Sequence, residues 1–253
     1  MVKKLLSISL LACGLSHFGQ AQLIISEVVD APLPGGLPKY VELTNVSTSS
    51  VDLSLYSIGN YNNGGTNLNN GSSLVLSGFL SAGESYVVSY ENGDSPGIGT
   101  FFDVYGFNPD NDDLGGFVNG NDVIALFLGP ASGDGSDATL VDLYGVIGTD
   151  GTGESWEYTD SYAFRNPNVL SASGIFNPSE WTFGGINALE TGDDIEELAL
   201  ILANTDPGIH AVIPEPSTLF LLGLGLFILV TLRIVKIKDS DYDPAKISTF
   251  AKH

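Results

Sequence analysis

The chain is poor in the residue types on which most enzyme chemistry depends. Its 253 residues include one cysteine, one methionine and three histidines. The cysteine is Cys13, inside an N-terminal apolar run, so the body beyond it has no thiol to make a disulfide and must hold by packing alone. His17 lies in that same run, His210 in a stretch read as linker and His253 at the last position. Zinc-ligand sets, Ser-His-Asp triads and Cys-His pairs therefore find no histidine in the central body. Catalysis there would rest on carboxylates alone, as in glycoside hydrolysis, with two of them facing a cleft at about 5 to 10 Å. No motif selects such a pair. Basic residues are the other scarcity: only Lys39 and Arg165 fall between positions 22 and 212, against 26 of the 30 acids, a net charge near −24. Such a field repels nucleic acid and anionic lipid and favours solubility, cations and cationic partners.

Long apolar runs occur only towards the two ends. Met1 to Ala21 carries Lys3 and Lys4, then Leu5 to Leu11, then Gly19-Gln20-Ala21. That order reads as a secretory signal peptide (1–21) cut by signal peptidase after Ala21. A second reading makes Leu10-Leu11-Ala12-Cys13 a lipoprotein box with Cys13 acylated. Near the other end, Pro214-Glu215-Pro216-Ser217-Thr218 opens an apolar, glycine-containing run to Leu232, followed by Arg233, Lys236 and Lys238. The run reads as one membrane-spanning helix whose basic side chains snorkel. The Pro214, Glu215, Pro216 start, apolar helix and basic flank resemble the PEP-CTERM sorting signal of bacterial exported proteins. The resemblance implies recognition by exosortase, a membrane protease-transpeptidase, with the body outside the inner membrane or released to the surface or matrix after processing. The segment is taken as 213–238, and 239–253 as a cytoplasmic tail, a departure from the pattern, which ends at the basic cluster.

Between these ends, short apolar runs alternate with clusters of Gly, Asn, Ser and Asp, an all-β pattern. Strands are expected at Leu23 to Val29, Tyr40 to Thr44 and Val51 to Ile58, with a hairpin pairing Leu74 to Leu76 with Tyr86 to Tyr90. Further strands follow at Asp122 to Leu128, apolar on both faces and hence central, and at Leu140 to Ile147, its hairpin partner. Trp156 to Phe164 supplies one or two late strands, and Trp181 to Phe183 the last. In the second strand, alternation places Val41 and Leu43 on one face and Tyr40, Glu42 and Thr44 on the other. The pieces LIISEVVD, YVELTN, VDLSLYSI, LSAGESYVVS, NGNDVIALFL, LVDLYGVIGTDGTGESW, Arg165-Asn166-Pro167 and FNPSEWTF, in that order, resemble the lamin-tail domain. That resemblance implies an immunoglobulin-like β-sandwich over 22–187 and an accessory module with no recognised catalytic set. Residues 188–212 read as a linker or short helix, because Ile195, Leu198, Ala199 and Leu202 have helical spacing behind Asp193 and Asp194.

Two candidate sites follow from the residues. Asp110, Asp112 and Asp113 crowd oxygen ligands on one loop, which suits calcium, with Asp134 and Asp137 as further ligands, although the spacing departs from an EF-hand. Arg165 is either a clamp holding the late strands or a ligand for an anion. The expected function is a non-catalytic surface β-sandwich in adhesion or envelope and matrix organisation, contacting extracellular polysaccharide or a surface protein. The alternatives are a carboxylate-dependent polysaccharide hydrolase and a calcium-stabilised spacer.

Overall fold

The computed structural model describes residues 23–90, 99–114 and 118–210; the signal peptide, the sorting segment and the tail lie outside them. In chain order the elements are β1 (Leu23–Leu33), β2 (Leu37–Asn45), β3 (Val51–Asp52), β4 (Tyr56–Tyr61), β5 (Leu74–Val75), β6 (Phe79–Leu80) and β7 (Ser85–Tyr90). Then come α1 (Phe101–Tyr105), β8 (Val123–Leu128), β9 (Thr139–Tyr144), β10 (Ser161–Arg165), β11 (Trp181–Phe183) and α2 (Asp194–Asn204). They build a five-stranded sheet in the order β11-β10-β1-β2-β7, a four-stranded sheet in the order β5-β4-β8-β9, and the short pair β3-β6. All the strand pairings in these sheets are antiparallel. The fold is an immunoglobulin-like β-sandwich.

The main core joins the two sheets. Val28, Val41, Leu43 and Ala163 pack with Ile58, Ile124, Leu126 and Tyr144. The run Val123 to Leu128 is central, between β4 and β9, which explains its apolar character on both faces. Trp156 and Tyr158 are buried but belong to no strand. Their rings pack edge-on against Tyr144, whose hydroxyl donates to the Trp156 carbonyl at 2.6 Å.

The expected hairpin between Leu74 to Leu76 and Tyr86 to Tyr90 does not form. Gly78, with φ +94, turns the chain after the first run and starts a separate short strand, Phe79–Leu80. Leu74–Val75 then pairs with Ser57 and Ile58, whereas Phe79–Leu80 pairs with Val51 and Asp52. The Ser81 to Glu84 turn is tied to Asn45, whose side-chain amide donates to the Leu80 and Ser81 carbonyls, and it starts β7 beside β2 in the other sheet. Val51 to Ile58 is likewise interrupted by a 3-10 turn, Leu53–Leu55, with Asp52 accepting from the Ser54 N–H.

The alternation in β2 is as expected, yet both of its faces are buried. Tyr40 joins a second apolar cluster with Val29, Val87, Phe101, Leu189 and Ile201. That cluster lies on the outer face of the five-stranded sheet, beneath α1 and α2. Asp193 caps α2 by accepting from the Ile195 and Glu196 N–H groups. Segment 188–210 is thus a helix and a docked tail: Leu189 and Ile201 are fully buried, and Tyr105 and Thr205 share a 2.7 Å hydroxyl hydrogen bond.

One close approach needs glycine. A Cβ on Gly120 would stand 1.9 Å from the Thr159 nitrogen and 2.2 Å from its Cα, both backbone atoms. Overpacking typically costs about 1–3 kcal/mol, and a backbone wall cannot rotate away. Gly120→Ala is therefore expected to lie at the top of that range, read as a lower midpoint in urea unfolding; an unchanged midpoint would refute the close packing of this loop.

Candidate functional site

Both cations of the body are buried. Arg165, on β10, is 1% exposed. It donates from Nη1 to Asp142 Oδ2 and from Nη2 to Glu180 Oε2, each at 2.6 Å. Its guanidinium lies 5.1 Å from the centre of the Trp181 ring. Asp142 is on β9, in the opposite sheet, and its Oδ2 also accepts the Ile25 N–H of β1 at 2.8 Å. Two ion pairs of one guanidinium therefore join both sheets and the segment leading into β11. Burial pushes the Asp142 carboxyl up, and the Arg165 charge and hydrogen bond pull it back. Further along β1, Lys39 pairs with Asp30, and Asp30 Oδ2 accepts the Gly120 N–H at 2.7 Å.

The outer face of the five-stranded sheet carries a second charged group. Glu27 and Glu42 face each other across β1 and β2 in register, just past an irregularity between Ile25 and Glu27. Glu27 accepts from the Tyr40 hydroxyl at 2.6 Å. Glu42 accepts from the Ser26 hydroxyl at 2.6 Å and from the Gly208 N–H at 2.7 Å. Both side chains line a cavity of about 230 Å³ together with Arg165, Phe164, Asp206 and His210. Burial, reinforced by the Glu42 charge, pushes the Glu27 carboxyl up to about 8. Burial also raises Glu42, against the hydrogen bonds from Ser26 and Gly208. His210 is held below its ordinary 6.5 by burial and by the Arg165 charge, and its Nε2 has no hydrogen-bond partner.

That placement corrects the expectation that no histidine belongs to the folded body. His210 follows α2 in sequence, and the helix folds back to lay it on the sheet. The paired glutamates were hidden in the sequence because Glu27 and Glu42 belong to separate strands. Only the cross-strand register brings the two acids together.

The acidic loop hydrogen-bonds to the strand beside it and within itself. Asp110 Oδ2 accepts the Val87 N–H at 2.8 Å, and Asn111 Oδ1 accepts the Asp113 N–H at 2.8 Å. Asp134 accepts from the Ser136 N–H, and Asp137 accepts from the Ser132 N–H and hydroxyl, which hold both carboxyls below the ordinary range. Asp112 lines a cleft of about 300 Å³ with Asn108 and Phe102. Among the described residues no three His, Cys, Asp or Glu side chains gather to hold a metal ion.

A family model described as Lamin Tail Domain matches residues 17–148, half of the chain. The chain belongs to the lamin tail domain family. A second model, the PEP-CTERM protein-sorting motif, matches residues 212–234 and contains Pro214, Glu215 and Pro216. This lamin tail domain is thus joined to a signal for exosortase sorting, the mark of an exported, membrane-associated or surface protein. A search of curated proteins finds no match. Among solved structures, a DUF4876 family protein from Bacteroides thetaiotaomicron is similar at 12% identity, over 78% of this chain and 74% of that one, with a TM-score of 0.36. The family match ends before β10. The strands that follow complete the five-stranded sheet of the lamin tail domain and bring Arg165 to Asp142.

Proposed function

We propose that the chain is a non-catalytic surface module, delivered through exosortase and acting in adhesion or in organisation of the envelope and its matrix. One observation carries this reading. Lys39 and Arg165 are both buried in ion pairs, so the exposed face of the described residues presents carboxylates and neutral polar groups with no lysine or arginine among them. Such a face suits a cationic patch on a surface protein or a polysaccharide with basic groups, and its contacts weaken as salt rises.

The paired Glu27 and Glu42 favour a second reading, a carboxylate-dependent polysaccharide hydrolase, because a carboxyl with a raised pKa in a cleft is the usual form of a general acid. The size of the cavity supports the first reading over this one: about 230 Å³ falls below the roughly 300–1,000 Å³ of typical ligand sites. Both carboxyls also already accept hydrogen bonds from within the protein.

The test takes the full chain expressed in a host that carries an exosortase. Mass spectrometry of the mature protein is expected to find a new C-terminus within or just after 213–238. A chain ending at His253 in the membrane fraction would replace processing by permanent anchoring. Polysaccharide hydrolysis abolished by Glu27→Gln or Glu42→Gln would overturn the non-catalytic reading.

A further inference from the structure

Lys39 and Asp30 stand directly opposite each other on adjacent antiparallel strands. They lie on the face of β1 and β2 that also carries Val28, Val41 and Leu43, and are 6% and 3% exposed. The geometry around the carboxyl group is that of a held electrophile. Oδ1 meets the Lys39 amine. Oδ2 takes the Gly120 N–H at 2.7 Å, and only glycine lets that loop press close enough against Thr159 to supply it. We propose that Lys39 and Asp30 condense into an intramolecular isopeptide bond that cross-links β1 to β2.

The step balances without a co-reactant. Lys39 Nζ attacks Asp30 Cγ, a C–N bond forms, and the bond from Cγ to Oδ1 breaks. Oδ1 leaves as water with two of the three ammonium protons, and the third stays on the amide nitrogen. One cation and one anion become a neutral amide. Oδ2 remains as the amide oxygen, and the Gly120 N–H donates to it while negative charge develops there. Burial helps in two ways: it makes a separated charge pair costly to keep, and it excludes the water that would reverse the step.

A proton has to pass from the amine to the departing oxygen. Asp122 is fully buried, but its two oxygens accept the Asn63 and Asn119 N–H groups. Asp122 interacts through space with both Asp30 and Lys39, as Asp160 does, but of the two it is Asp122 whose carboxyl is held by backbone N–H groups, so the relay is assigned to Asp160. It directly precedes Ser161, the residue opposite Asp30 on the other side of β1. Its carboxyl is half-buried, interacts through space with both Asp30 and Lys39, and is raised chiefly by burial. The cross-link gives a body without disulfides a covalent staple made from two ordinary side chains.

Trypsin reads the bond directly, because it cuts after a free lysine and not after an acylated one. The purified full chain, denatured and digested, is expected to be cut after Arg165 but not after Lys39. The peptide containing both Asp30 and Lys39 should be lighter than its sequence by one water. Asp30→Ala is expected to restore both the cut and the full mass. Wild-type protein cut after Lys39 as completely as after Arg165 overturns the proposal, and because digestion follows denaturation this holds even where Asp30→Ala folds poorly. Loss of water with Lys39 still cleavable, as an aspartyl succinimide would give, overturns it equally. Asp160→Asn is expected to lower the linked fraction, and an unchanged fraction removes Asp160 from the relay.

Discussion

Arg165→Met is expected to lower the melting temperature of the domain by about 10 °C, the effect of losing about 3–5 kcal/mol from a body of this size. The cost comes less from the lost attraction than from what stays behind. Asp142 is fully buried, and without the guanidinium its carboxylate has no cation to offset its desolvation. Asp142 cannot simply be dispensed with, because its Oδ2 also satisfies the Ile25 N–H of β1. Glu180 is hurt less, its side chain being 27% exposed and able to turn to water. Arg165→Lys should fall between the two, since one ammonium cannot reproduce the two forked contacts to Asp142 and Glu180 or the position over Trp181. Thermal unfolding followed by circular dichroism measures all three proteins. A change in Arg165→Met within about 2 °C of wild type, a shift that corresponds to under about 1 kcal/mol, would mean that the pair does not join the sheets. If stability held and a surface interaction disappeared instead, the anion-binding role would return.

How far this arrangement could be read in advance depended on the range of the interaction. Strand periodicity is local, so β1, β2, β8 and β9 were visible in the chain, and the two-faced burial of β8 followed from its continuous apolar run. Turn chemistry was less legible. Gly78 looked like one turn residue among many, yet at its positive φ the chain turns after one strand and starts another in a different pairing. The largest gap concerned the outer face of β2. Alternation sets Tyr40, Glu42 and Thr44 opposite Val41 and Leu43, but nothing nearby in sequence announces that Phe101 and Tyr105 of α1 pack on Tyr40 or that Gly208, beyond α2, reaches Glu42. Distance along the chain also hid the site. Glu27 and Glu42 become partners only through β1-β2 register, and His210 joins them only because α2 folds back. Arg165 could be singled out as a rare cation, but its partner Asp142 was one of many acids.

Glu27 supplies the other large expected effect, and its sign runs opposite to that of most carboxylates. A buried acid whose pKa is pushed from 4.5 to about 8 holds its proton in the folded protein but loses it in the unfolded chain. Its contribution is therefore complete below about pH 4.5, declines as pH rises from there to about 8, and is lost above that. At about 1.4 kcal/mol per pH unit the span is a few kcal/mol. Glu42 titrates with it as a coupled pair, so the loss belongs to both acids. Tyr40 donates to Glu27, Asp206 and Glu42 add negative charge, and Arg165 and His210 line the same cavity. His210 acts in the reverse sense: its imidazole is held neutral, so its contribution is present above 6.5 and falls away in acid. Glu27→Gln keeps an oxygen for the Tyr40 hydroxyl and removes the charge. The variant is expected to match wild type near pH 4 and to exceed it by about 4 kcal/mol at pH 8. Urea unfolding across pH 4 to 9 measures the difference, and parallel curves for the two proteins would show that Glu27 is ionised in the fold and that the cavity is wetter than its burial implies.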